Sequence, residues 1–219
     1  MKHASTRALF AYWNKQRGSR PAPERVDIDP VGLRRELGDV FMLAADFVDN
    51  LRFRLAGTRV CALFGREIKG ESFPTLWDEA SRQTIDQVLS VVTHERIGAV
   101  AGLTGRTADG AEVDLELILL PLAHAGHARI RAIGALAPLA PPYWLGEKPL
   151  TELHLGALRH VGPDSETLDP RRFTLAPAPQ PDIMSEPQEI LPAPAGSRVR
   201  HGFVVYSGGR ETPSGEKTG

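Results

Sequence analysis

A single cysteine, Cys61, stands in 219 residues. That excludes an internal disulfide and a metal site built from several thiolates, and it is what a cytoplasmic protein is expected to show. Charge of one sign is lacking as well: 26 Lys and Arg face 27 Asp and Glu, and no basic run occurs. Binding to nucleic acid or to anionic lipid by counterion release is therefore not expected. No stretch of about 18 apolar residues is present to span a bilayer. The opening "MKHASTRALFAYWNKQRG" holds only a short apolar patch, broken by Asn14 and Lys15, unlike a signal-peptide core.

Catalytic motifs are missing too. There is no Gly-x-Ser-x-Gly elbow, no phosphate-binding Gly-Lys loop and no His-Glu-x-x-His, and no spacing brings an acid and a base together. No catalytic residue and no metal ligand set is expected. His124 and His127 of "HAGH" do not complete a four-ligand shell and read as turn residues.

What is present reads as an α+β chain. Leu9, Phe10 and Trp13 recur at three- and four-residue spacing and predict a helix over about 5–18, docked on a core. Asp29-Pro30 suits a second helix start, with Leu33 and Leu37 inward and Gly38 as its stop. From Val40 the period changes. "VFMLAADF" predicts a strand covered on both faces, and "LRFRLAG" a second strand paired with it after a turn at Asp49-Asn50.

Gly57, Gly65 and Gly70 then punctuate short turns, expected to use conformations that residues with a Cβ resist. Ile85, Val88, Leu89 and Val92 form the apolar stripe of a longer helix over about 78–96, with Arg82, Asp86 and Gln87 pointing away. Three more strands follow, roughly 99–107, 112–122 and 128–136. In the middle one Val113, Leu115, Leu117 and Leu119 share a face, and Glu112, Asp114 and Glu116 share the other. Arg129 and Arg131 are expected to answer those acids on a solvated face rather than to build a carboxylate site.

Beyond Pro138 the composition shifts. Eight of the 18 prolines lie between Pro163 and Pro194, among few large apolar residues, which predicts a linker or tail over 141–219. Within it "HGFVVYSGGR" suggests a short strand near 201–206, able to add to a sheet edge or to bind a partner. The chain shows no internal repeat.

The order of two strands, a cluster of short turns, one longer helix and three antiparallel strands resembles a PAS domain. Trp13 on the first helix, "DIDPVGLRREL", "FRLAGTRV" and "FGREIKG" are similar to a group of small bacterial PAS proteins of largely unassigned function. The resemblance implies flanking helices over 1–38 and a domain over 39–140. That domain would hold a five-stranded antiparallel sheet with short helices and one longer helix on one face. It also implies a regulatory or sensory module that takes a small molecule or a signalling partner, commonly as a homodimer through the N-terminal helix. Leu9, Phe10 and Trp13 are then candidate interaction residues.

Folding the turns back over the sheet would let Phe53, Leu55, Val60, Cys61, Phe64 and Trp77 line a space with Val88, Leu115 and Leu117. Such a lining also suits a dry core, since packed interiors leave few voids. A protein-interaction scaffold with a filled core is the competing expectation. Cys61 sits near the turns where a light-sensing branch of the superfamily carries its flavin-reactive cysteine. "GTRVCALFG" lacks that branch's Asn-Cys-Arg context and the later flavin-binding Asn and Gln, so Cys61 reads as a small hydrophobe. His94 could be read as a haem ligand, but a histidine in a last helical turn more often serves the free carbonyls and the helix dipole.

Overall fold

Strand β1 (Val40–Ala45) pairs antiparallel with β2 (Leu51–Ala56) on one side and with β5 (Ile130–Pro138) on the other. β5 continues to β4 (Glu112–Pro121), β4 to β3 (Gly98–Thr107), and β3 to β6 (Leu150–Val161). The result is one six-stranded antiparallel sheet in the order β2-β1-β5-β4-β3-β6. This computed structural model of the chain describes residues 1–45, 50–123, 130–162, 198–200 and 203–205. The chain divides into two units, 1–175 and 176–219. In the second, β7 (Arg198–Arg200) pairs antiparallel with β8 (Phe203–Val205). Asp49, His124, His127, Arg129 and the prolines from 163 to 194 lie outside the described residues.

β6 is the departure from the expected five strands. Its residues fall in the stretch that composition assigned to a linker, yet Gly98↔Val161 through Thr107↔Leu150 pair along β3. The reason is physical: only Leu150, Leu153 and Val161 of β6 are buried, so main-chain bonding to an otherwise open edge, rather than a strong apolar pattern, places the strand.

Both faces of the sheet are covered. On one, helix α1 (Ala4–Arg17) lays Leu9 and Trp13 against Val100, Ile118, Leu120 and Ile133. Trp13 Nε1 donates to the Pro121 carbonyl at 2.7 Å. The start of α1 is capped by His3, whose Nδ1 accepts from Ser5 N, and Gly18 at φ +57° ends it. The expected second helix shrinks to a 3₁₀ turn at Pro30–Leu33, with Asp29 capping Val31 N as its sequence suggests.

On the other face lie α2 (Thr58–Phe64), a 3₁₀ turn at Phe73–Leu76, α3 (Glu79–Ser90) and a π-helical turn at Val91–Glu95. Two of the turn glycines act differently. Gly65 ends α2 in the left-handed region at φ +62°. Gly57 has an ordinary φ of −69° and is required by proximity, since a Cβ there would lie 2.1 Å from the Leu37 carbonyl oxygen. Ile85, Val88, Leu89 and Val92 point into the core as their spacing predicts.

Candidate functional site

Between the sheet and helices α2 and α3 the side chains meet. Phe41, Phe53, Phe73 and Trp77 form a chain of ring contacts with centroids 5.4–5.8 Å apart. Phe53, Val60, Phe64, Trp77, Val88, Leu115 and Leu117 are all buried in this one cluster. Leu55 does not join them: the β1–β2 ladder shifts register at Met42/Leu43, and Leu55 beyond it is 44% exposed. Cys61 sits half-buried at the rim, its thiol 3.6 Å from Glu67 Oε1. Burial, with the Glu67 charge adding to it, pushes that thiol's pKa up, which disfavours a reactive thiolate. One buried donor in the cluster, Trp77 Nε1, has no acceptor among the described residues.

Two concavities among the described residues border that cluster. The first, about 300 Å³, opens where α3 and its π-helical end meet the sheet. Asp86, Ser90, Thr93 and His94 form one wall, with Asn50, Leu51 and Arg131 opposite. His94 Nδ1 lies 3.1 Å from the Ser90 carbonyl oxygen. A carbonyl only accepts, so the tautomer that bonds here carries its proton on Nδ1 and leaves the Nε2 lone pair free. Ser90 Oγ at 3.5 Å and Thr93 Oγ1 at 3.1 Å also border Nδ1. The cleft therefore offers donors and acceptors for binding. Arg96, directly after the π turn, adopts the left-handed region at φ 58°, the one described residue other than glycine with positive φ. Such π turns recur at functional sites.

The second concavity, about 540 Å³, lies beside the start of α1. At one end are His3, Ser5, Asp39 and Arg59; its walls are Ala62 and Leu63 of α2 together with Leu136, Leu139 and Leu145. Asp39 is buried and holds the floor: Ser5 Oγ donates to it at 2.6 Å, and Arg59 donates through Nε at 2.6 Å and Nη2 at 2.8 Å. That bidentate bond raises the Arg59 pKa further. Beyond this groove Glu116, also buried, accepts from Lys2 N at 2.6 Å, His3 N at 2.9 Å and the Thr6 hydroxyl.

A family model for the PAS domain matches residues 1–137. The chain belongs to the PAS domain family. Among solved structures, the PAS domain of a protein from Colwellia psychrerythraea is similar at 15% identity and a TM-score of 0.37, covering 50% of this chain and 97% of that one. A light-oxygen-voltage domain studied with a flavin analogue is similar at 12% identity and 0.42, covering 54% and 90%. An RNA-binding light-oxygen-voltage receptor is similar at 16% and 0.38, covering 54% of this chain and 33% of that one. No curated protein matches.

In this PAS protein the first helix docks on its own sheet, as the spacing of Leu9 and Trp13 predicts. Leu9 and Trp13 are wholly buried against their own sheet, and Phe10 is half-buried. Glu116 is corrected: it does not stand on a solvated face paired with arginine, but seats the backbone of residues 2–6. A signal for this existed. From Glu116 onward the outward positions become Ile118 and Leu120, which marks that half of β4 as covered on both sides. The cleft residues Asn50, Ser90 and Thr93 carried no such signal, since they come together only in three dimensions. No helix among the described residues is long and apolar enough to cross a membrane.

Proposed function

We infer that the protein is a regulatory, sensory PAS module that binds a small polar molecule and transmits a change in packing. The reading is carried by one observation: the α3 cleft is bordered at once by α3, its π-helical end and strands β1, β2 and β5. An occupant touches helix and sheet together and stabilises whichever helix position suits it, which is the requirement for a ligand to shift a conformational equilibrium. The donors and acceptors around Ser90, Thr93 and His94 suit binding rather than turnover. Thermal unfolding against a panel of metabolites, on the natural protein and on Ser90→Trp, tests this. A metabolite should raise the melting temperature of the first and not of the second; if none does so, the small-molecule reading fails.

The second reading, a protein-interaction scaffold, is favoured by the aromatic packing of Phe41, Phe53, Phe73 and Trp77, which occupies the space where a PAS ligand was expected. Affinity capture with and without residues 163–219 distinguishes it. Equal recovery of a signalling partner would remove the tail from the interaction and leave the folded unit as its surface. Chromophore sensing through haem or flavin is tested by an absorption spectrum of protein made with both precursors supplied.

A further inference from the structure

The polar end of the groove beside the start of α1 presents two unused hydrogen-bond donors, on Arg59 and His3. Both Asp39 oxygens are engaged, Oδ1 by Arg59 Nε and Oδ2 by Arg59 Nη2 and Ser5 Oγ, and the carboxylate is buried. It has no room for a cation. Arg59 is different: Nε and Nη2 donate to Asp39 and to the Arg35 carbonyl, while Nη1 has no acceptor among the described residues, and the side chain is 56% exposed. His3 adds a second donor. Its Nδ1 accepts from Ser5 N, so the neutral ring holds its proton on Nε2. Away from this polar end the walls are Ala62, Leu63, Leu136, Pro138, Leu139 and Leu145.

We propose that this groove binds an amphipathic monocarboxylate, its head on Arg59 Nη1 and His3 Nε2 and its aliphatic or aryl tail along the leucine wall. A volume of about 540 Å³ falls within the range of small-molecule sites. A head group made of acceptors is selected because Arg59 and His3 both present an unused donor at this end, and a guanidinium edge favours a carboxylate over a neutral oxygen. The same occupant bridges α1, through His3, to α2, through Arg59. It binds the state in which α1 is seated on the sheet and shifts the population toward that state. The site is separate from the α3 cleft, and its failure leaves that cleft's role intact.

The test uses octanoate, octanol and octylammonium, each below its aggregation concentration, with the full chain. Calorimetry should show octanoate binding at least tenfold more tightly than the alcohol, and no detectable binding of the amine. Ala62 is exposed on α2, so its replacement leaves the core intact. Ala62→Trp should abolish octanoate binding, Ala62→Glu should weaken it at least tenfold, and Ala62→Lys should strengthen it. Amide exchange over residues 4–17 should slow when octanoate is added. Arg59→Gln should erase the preference for acid over alcohol. Equal binding of the three probes, octanoate binding undiminished by Ala62→Trp, or binding lost only in Ser90→Trp would each overturn the proposal.

Discussion

The two faces of the sheet are closed by different means. Over the face that carries α2 and α3, closure is apolar and dense: four aromatic rings in series, with aliphatic side chains from all six strands and both helices around them. Over the opposite face, Leu9 and Trp13 supply apolar contact, but the start of α1 rests on the buried carboxylates Asp39 and Glu116. Negative charge beneath a helix N-terminus is favourable, because the first amides are unpaired and the dipole is positive there. One face is therefore held by shape, and the other is keyed by charge. Dispersion and burial are nearly indifferent to protons, whereas a carboxylate seat is not, so the α1 side is where solution conditions enter the fold.

The contrast breaks most severely at the aromatic series. Phe41→Ala removes a ring that contacts both Phe53 and Phe73, and should cost about 3–5 kcal/mol of unfolding free energy in urea titration. On the other face Glu116→Ala leaves the Lys2 and His3 amides and the Thr6 hydroxyl without their acceptor. We expect a loss of about 2–3 kcal/mol. More telling, amide exchange should accelerate over α1 and remain unchanged over α3; equal acceleration of both helices would show that the two faces open as one.

How much of this was legible varies by element. α1, β1–β5 and the α3 stripe follow from periodicity, because an amphipathic helix and a half-covered strand each impose a repeat on their own residues. Leu9 and Trp13 announced a buried helix face in this way. Asp39, Glu116 and Arg59 did not, because a buried acid looks like an exposed one until its donors arrive from 20 or more residues away. β6 was illegible for a related reason: its place depends on β3's unpaired main chain, and backbone amides are the same in every sequence. Of the residues expected to line an interior space, Leu55 departs because a register irregularity is a property of the strand pair and not of either strand.

Acid sharpens the comparison with a smaller effect. Burial alone would raise the Glu116 pKa, but the Thr6 hydroxyl and the Lys2 and His3 amides outweigh it and leave it below the ordinary value of 4.5. A carboxyl depressed in the fold contributes stability that is complete above its unfolded pKa and is lost as pH falls through the folded one. The natural protein should thus lose stability below pH 4.5 faster than Glu116→Gln, in which this position no longer titrates, as read from urea midpoints across the acid range. The smallest effect is expected at the surface. Lys148 and Thr107 bond to Asp109 and bring its pKa down to about 2, but the pair is solvent-exposed. Asp109→Asn should leave the unfolding midpoint at neutral pH within experimental error.

β6 finally sets where the chain can be cut. The family match stops at residue 137, and a fragment ended there would strip twelve residues from the flank of β3. Its exposed row of amides and carbonyls would become a template for a neighbouring molecule, and the fragment should self-associate through strand addition. A soluble minimal version of this protein therefore ends after Val161, and a gene fusion that respects that limit keeps the β3 edge closed.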